Sequence, residues 1–329
     1  MKAISINQFG GPEVCRIGDV TSPKAMAGEA VVKVAFAGVN FIDVYMRNGT
    51  YARSHTYKTP LPMVIGMEAA GTIESVDESI SDLKIGQRVA FCLSRGSYAE
   101  RIAVPAWKLV PIPDDISFEI GASIMLQGCT AHYLSRSAFP LQRGQTCLIH
   151  AGAGGVGQLL IQLAKSVGAT VLTTVSTPEK ADIARARGAD YCILYRDSDF
   201  REEVMRLTSG TGVSVVYDSV GRDTIANSIR SVYRRGLCVL FGASSGVVDS
   251  IEPLALAEAG SVFFTRPHLA DYMSSAEEIR GRAAELFKLV RQGMLTLSID
   301  RIFPLADASS AHRYIEAGKT QGKLLLRVQ

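Results

Sequence analysis

Apolar and polar positions along this chain fall into three regimes. From residue 1 to about 125, short runs alternate apolar with polar residues. Residues 30–36 alternate, 66–76 carry a second strand pattern, and 84–90 read as a turn entering a strand. Gly10-Gly11-Pro12 and Pro60-Leu61-Pro62 punctuate the runs. Many short strands with glycine and proline turns predict a compact, barrel-like β domain. Residues 1–5 alternate like an edge strand. Between 118 and 138 the apolar spacing becomes helical, through Ile120, Ile124, Leu126, Ala131 and Leu134.

The middle regime is different. Near-continuous apolar runs at 146–150, 169–174, 191–194, 213–217, 236–241 and 262–265 are separated by helical patterns at 158–167, 178–187, 200–208 and 224–232. Strands that are apolar throughout, alternating with helices, predict a doubly wound parallel sheet covered on both faces. After Pro267 come an amphipathic helix at 276–292, a strand region at 295–303, a helix at 307–317 and a closing strand at 323–328. This is too much material for the sheet, so the chain is expected to return to its first domain. The expected division is 1–125 with 268–329, and 126–267.

One turn carries a chemical signal. Between strand 146–150 and its helix lies Gly152-Ala153-Gly154-Gly155-Val156-Gly157, which matches G-x-G-x-x-G. In that position the first glycine allows a tight turn, the second a close approach of pyrophosphate, and the third helix–strand packing. The helix N-terminus offers amides and a positive dipole end to the phosphates. A dinucleotide site is the expectation, against a glycine-rich turn with no ligand. At the end of the next strand an NAD site places Asp or Glu. This chain has Val175-Ser176-Thr177-Pro178, with Lys180 following and Tyr195-Arg196 closing the strand after it. Hydroxyl and cationic groups without that carboxylate favour the 2′-phosphate of NADP, although Glu179 dissents. Read without a ligand, Lys180 and Arg196 are solvated surface charges.

The 329 residues suit two domains, and 47% hydrophobic with 20% charged residues describes a globular protein with large cores. No signal peptide pattern opens the chain, and no run reaches the length of a membrane helix. The net charge of +3 is dispersed, with no basic block for nucleic acid or membrane. Six cysteines without C-x-x-C spacing read as reduced thiols, three of them inside apolar runs, in a cytoplasmic protein. Five scattered histidines show no metal-ligand spacing.

These features together resemble the zinc-independent quinone oxidoreductase (zeta-crystallin-like) family of the medium-chain dehydrogenase/reductase superfamily. The resemblance rests on Gly144-Gln145 through Leu148, the glycine turn, Gln162 and Lys165. It extends to Gly38-Val39-Asn40-Phe41-Ile42-Asp43-Val44-Tyr45, Tyr217-Asp218-Ser219-Val220-Gly221 and Thr265-Arg266-Pro267. It implies an α/β fold: a GroES-like β-barrel catalytic domain plus a Rossmann domain, in an NADPH-dependent reductase that passes hydride to a quinone or related conjugated carbonyl. Zinc-dependent relatives carry Cys and His where this chain has Asn40 and Met67. An amide and a thioether are not usual zinc ligands, so no metal is expected.

Without a metal, a neutral donor must polarise the acceptor oxygen. The candidates are Asn40, Tyr45, Tyr51 and Gln127. The resemblance sets the segment 40–45 beside the nicotinamide. Asp43 orients that segment, or is a structural carboxylate capping a helix at 43–47. Tyr51 is otherwise a surface-loop aromatic. By the same resemblance Gly154, Gly155 and Val156 meet the pyrophosphate, within the turn from Gly152 to Gly157. Ser176, Lys180 and Tyr195 surround the 2′-phosphate. Ser219, Phe241, Ala243 and Ser244 lie at the sheet's carboxyl edge, and Thr130 and Arg266 add contacts. Arg266 equally suits an ion pair between domains. The apolar stretch 262–265 is expected at a sheet edge where related proteins pair, which implies a homodimer. Two rival functions share the scaffold: an enoyl or alkenal reductase, and a non-catalytic NADPH-binding protein acting as a sensor, RNA-binding or crystallin-like. No basic patch with interleaved aromatics favours the RNA version.

Overall fold

The computed structural model describes residues 1–328. The N-terminal part runs β1 (Lys2–Ile6), β2 (Arg16–Asp19), β3 (Glu29–Val39), α1 (Phe41–Arg47), β4 (Met63–Val64), β5 (Glu68–Val76), β6 (Arg88–Cys92), β7 (Arg101–Pro105) and β8 (Val110–Pro111). Helix α2 (Phe118–Tyr133) leads into β9 (Thr146–His150), α3 (Gly155–Ser166), β10 (Thr170–Val175), α4 (Pro178–Ala186), β11 (Tyr191–Leu194), α5 (Phe200–Leu207), β12 (Val213–Asp218), α6 (Ile225–Arg230), β13 (Val232–Leu240), α7 (Pro253–Glu258) and β14 (Phe263–Thr265). The chain ends with α8 (Ala276–Arg291), β15 (Ile299–Pro304), α9 (Ala308–Glu316) and β16 (Lys323–Arg327).

The chain forms two compact units. The first holds Met1–Cys129, Met273–Gly293 and the chain from Leu297 on; the second holds Thr130–Tyr272 with Met294–Thr296. In the first, seven strands make a sheet of order β15-β16-β3-β5-β6-β8, with β7 also paired to β3. Strand β3 is long enough to serve three partners, and its Ala30, Val31, Val32, Val34 and Ala37 are buried. The late strand β16 lies antiparallel to the far end of β3, with Leu325 opposite Gly38. This is the GroES-like barrel.

A second small sheet has the order β2-β1-β4. Strand β1 is therefore central, not at an edge as its sequence suggested. Alternation reports that Ile4 and Ile6 share a buried face, but not that Ala3 on the other face is buried too, nor how many neighbours a strand has.

The second unit is a six-stranded parallel sheet of order β11-β10-β9-β12-β13-β14. Its inner strands β10, β9 and β12 are buried on both faces, as a doubly wound sheet requires. Leu148, Leu172, Ile193, Val213 and Val216 join Phe200, Val204 and Ile229 in one core cluster. Polar caps start the helices: Thr177 accepts from the Lys180 amide and Asp199 from the Arg201 and Glu202 amides. Because all six strands are parallel, their carboxyl ends share one edge, and the strand order reverses between β9 and β12.

Candidate functional site

In the first unit, strand β3 delivers Asn40 to the start of α1, where it is the N-cap. Its backbone amide donates to Asp43 Oδ2 at 2.9 Å, which ties helix start and carboxylate together. The Asn40 side chain turns inward. Its Nδ2 donates to Glu68 Oε2 at 2.9 Å, and its Oδ1 accepts from Lys323 Nζ at 2.7 Å. Lys323 also donates to Glu68 Oε2, and Glu68 Oε1 accepts the Leu126 amide at 2.7 Å. Asn40, Glu68 and Lys323 are all buried, so the carboxylate and ammonium neutralise each other out of water. Gly38 leaves room for this: a Cβ there would stand 2.3 Å from Glu68 Oε2 and 2.6 Å from the Ala122 carbonyl.

Asp43 heads a second buried chain. Its Oδ2 accepts from the Tyr98 hydroxyl at 3.1 Å, while Oδ1 has no hydrogen-bond partner. Burial pushes the carboxyl pKa up to about 7, against the opposing pull of the Asn40 amide, the Lys323 charge and the Tyr98 hydroxyl. The Tyr98 oxygen lies 3.2 Å from His312 Nε2, and His312 Nδ1 lies 3.0 Å from Arg47 Nη1. A guanidinium only donates, so Nδ1 accepts and Nε2–H points at Tyr98. Burial and the Arg47 charge push the His312 pKa down to about 3, which keeps the ring neutral. Arg47 in turn makes a two-point pair with Glu316, at 2.8 and 2.7 Å.

Beyond Asn40, helix α1 starts a row of rings. Phe41 and Tyr45 have centroids 5.9 Å apart, Tyr45 meets Tyr51 edge-on at 5.4 Å, and Tyr51 stacks on Tyr57 at 5.2 Å. Tyr45 and Tyr51 are thus brought together, and the Tyr51 amide donates to the Tyr45 carbonyl at 3.2 Å. Gln127, half-buried on α2, follows the residue whose amide binds Glu68.

In the second unit every expected cofactor residue except Thr130 sits at or just beyond the end of a parallel strand. The glycine turn follows β9, Ser176 and Lys180 follow β10, Tyr195 follows β11, Ser219 follows β12, Phe241, Ala243 and Ser244 follow β13, and Arg266 follows β14. Thr130 is buried on α2.

The turn is tightly built. A Cβ on Gly152 would stand 2.1 Å from Thr173 Oγ1, and one on Gly157 2.3 Å from the Ala151 carbonyl. Gly154 meets only that carbonyl, at 3.2 Å, leaving its other side open to a phosphate. The left-handed residue is Ala151, with φ 56°, and not a glycine. Helix α3 begins at Gly155, so the amides of its first turn lack partners in the helix, as an anion site needs. The Tyr195 amide donates to the Val175 carbonyl at 3.3 Å, which sets Tyr195 beside Ser176. The loop carrying Phe241, Ala243 and Ser244 is laced to the end of β12: the Phe241 amide donates to the Asp218 carbonyl at 2.8 Å and the Ser244 amide to that of Ser219 at 3.2 Å. Arg266 donates to the Pro267 carbonyl at 3.0 Å.

Sequence reasoning missed Lys323, Tyr98, His312 and Arg47 in the first unit, and His150 and Thr174 in the second. A lysine opening the apolar run Leu324–Leu326, and a histidine ending one at residue 150, were the available signals.

Two family profiles match the chain: "Alcohol dehydrogenase GroES-like domain" over residues 26–114 and "Zinc-binding dehydrogenase" over residues 155–288. A quinone oxidoreductase of Pseudomonas aeruginosa is 40% identical over 326 residues, covering 99% of each chain. A 2-haloacrylate reductase of a Burkholderia species is 39% identical over 331 residues, again covering 99% of each. The solved structure of Escherichia coli quinone oxidoreductase complexed with NADPH matches with a TM-score of 0.96, at 37% identity over the whole of both chains. With likeness of this extent in both units, the chain belongs to the quinone oxidoreductase (zeta-crystallin-like) family of the medium-chain dehydrogenase/reductase superfamily.

Proposed function

We propose that this chain is an NADPH-dependent quinone reductase that works without a metal. The observation that carries the reading is the row of groups along the carboxyl edge of the parallel sheet. A glycine turn and helix N-terminus stand beside Ser176, Lys180 and Tyr195, where an NAD site has a carboxylate. These residues would hold the pyrophosphate and the 2′-phosphate. NADPH, once bound, supplies hydride. Related proteins named as quinone oxidoreductases, one of them solved with NADPH, support both cofactor and acceptor.

Tyr45 and Tyr51 supply an aromatic surface for a flat conjugated ring, and a phenol hydroxyl can donate to the oxygen that gains charge. The inward contacts of Asn40 with Lys323 and Glu68 favour a positioning part for it: it starts α1 and so sets where Tyr45 stands. Asp43 holds the same helix start. Gln127, half-buried next to the Glu68-bound turn of α2, remains in our reading as a second neutral donor.

Zinc does not suit the residues at hand. Asn40 offers an amide already bound on both sides, Met67 a buried thioether, and burial pushes the Cys92 and Cys129 thiols up, away from thiolate. Among the described residues no three His, Cys, Asp or Glu side chains cluster as a metal site. We also read the protein as a homodimer paired through β14, where Phe263 is 65% exposed at the sheet edge. Six free cysteines suit a reducing compartment, and we assign the protein to the cytoplasm.

The similarity to a 2-haloacrylate reductase favours one second reading, reduction of an activated carbon–carbon double bond. Steady-state NADPH oxidation with benzoquinone, naphthoquinone, an enal, 2-chloroacrylate and no acceptor, each with and without chelator, separates the two. Turnover of quinones unchanged by chelator is expected. Turnover confined to the alkenes, or lost with chelator, overturns the quinone or the metal-free reading respectively.

A further inference from the structure

Behind the glycine turn lies a buried hydrogen-bonded chain that reaches three strand ends. It starts at Asp218, the last residue of β12, whose carboxylate accepts the Val220 and Gly221 amides at 2.8 and 3.0 Å and the Thr224 hydroxyl. Ser228 Oγ lies 2.7 Å from Asp218 Oδ2 and 2.9 Å from His150 Nε2. His150 Nδ1 lies 2.8 Å from Thr174 Oγ1, which is 3.4 Å from the Ala151 amide.

The charge on Asp218 fixes the direction of every bond. A carboxylate only accepts, so the Ser228 hydroxyl donates to it and accepts His150 Nε2–H. The neutral ring then accepts the Thr174 hydroxyl at Nδ1, and Thr174 is left to accept from Ala151. Burial pushes the His150 pKa down, and Phe200 packs edge-on against the ring at 4.8 Å. Asp218, His150, Thr174 and Ser228 are each no more than 3% exposed.

What this chain holds is unusual. Ala151 is in the left-handed region, which a residue with a Cβ rarely adopts. Its carbonyl accepts the Gly154 amide at 2.9 Å, and the next amide, of Gly152, donates to the Thr174 carbonyl at 3.2 Å. Thr174 therefore grips both amides at the start of the turn, one with its side chain and one with its backbone.

We propose that His150 is a positioning residue for the nucleotide pyrophosphate. It locks the glycine turn after β9 to the Ser219–Gly221 loop after β12, through Thr174 on one side and Ser228 with Asp218 on the other. The proposal rests on the NADPH reading above. It assigns His150 no contact with the ligand and no part in recognising the 2′-phosphate, because Ser176, Lys180 and Tyr195 lie outside the chain.

The test uses two variants, His150→Leu and Thr174→Val, with dissociation constants for NADPH, NADH and adenosine 2′-monophosphate measured by titration. Circular dichroism and thermal melting verify the fold. Binding of NADPH and NADH should weaken alike, by about tenfold, in both variants. The double variant should lose little more than either single one, since both cut the same chain. Adenosine 2′-monophosphate has no pyrophosphate and should bind as to the parent. Should His150→Leu fail to fold, the near-isosteric Thr174→Val carries the measurement alone. Unchanged NADPH binding in a folded variant overturns the proposal, and so does an equal loss for adenosine 2′-monophosphate, which would mean general loosening. A parent that binds none of the three ligands overturns the nucleotide reading itself.

Discussion

Lys323 Nζ lies 2.7 Å from Asn40 Oδ1, although 283 positions separate the two residues in the chain. The contact exists because β16 closes against the end of β3, just before α1 begins. The same ammonium neutralises Glu68, whose carboxylate has no route to water. Removing one member of such a pair leaves a buried charge alone, at about 3–5 kcal/mol. Lys323→Met should therefore lower stability by that order in urea denaturation. The double variant Lys323→Met with Glu68→Gln should lose less than Lys323→Met alone. Equal stability of Lys323→Met and the parent rules out a compensating role.

Asp43 should make stability depend on pH near neutrality. Its pKa rises from 3.8 to about 7 on folding. Between those values the folded protein holds a proton that the unfolded chain releases, so this group's contribution is complete below about pH 4 and declines as pH rises to about 7. Asp43→Asn removes the titration while keeping an oxygen for the Asn40 amide and the Tyr98 hydroxyl. The stability of the parent relative to the variant should fall from pH 5 to pH 7 and level off above. Urea denaturation at each pH measures it, and a difference that stays constant or rises contradicts the assignment.

Tyr45 offers a test of the ring row. If its hydroxyl donates to the acceptor oxygen as charge develops, Tyr45→Phe lowers kcat and kcat/KM together. For a quinone, already electrophilic, the expected drop is on the order of tenfold; a weaker acceptor should show more. Tyr45→Ala should also raise KM by removing the surface itself. A phenylalanine variant matching the parent on weak and strong acceptors alike removes the donor role and leaves only packing.

Cofactor preference should track Lys180. The Lys180→Ala variant should weaken NADPH binding by about tenfold and leave NADH binding nearly unchanged, in a fluorescence titration of each. Loss of the same size for both cofactors would place Lys180 away from the 2′-phosphate.

The parallel sheet was legible because each of its strands is a short apolar run between turns, as in Thr146–His150, and local pattern is all that such strands need. The glycine turn was legible for the same reason: its spacing is local. Even there, the left-handed residue proved to be Ala151, held by contacts from β10 that no spacing reveals. In the first unit Asn40, Asp43 and Tyr45 were singled out from one short segment. Their supports were not, because Glu68, Tyr98, His312 and Lys323 arrive from four separate stretches brought together by strand pairing and by helix α9. Register between distant strands follows from tertiary packing, and a lysine at the head of a strand looks in sequence like an ordinary surface charge.

The position of β16 also bears on how the protein is made. A ribosome delivers the chain from its first residue, yet β3 receives the partner for its far end only when residues 323–327 emerge. The inserted sheet has its last strand by Thr265 and can complete itself while the first unit still waits with an open strand edge. During that interval Glu68 has no ammonium to bury against. The nascent barrel therefore cannot close around a bare carboxylate before Lys323 emerges, and β16 acts as its fastener. A chain that has emerged past Thr296 but not yet to Lys323 would carry a complete second unit and an unfinished barrel, a species for chaperones to shelter until translation resumes.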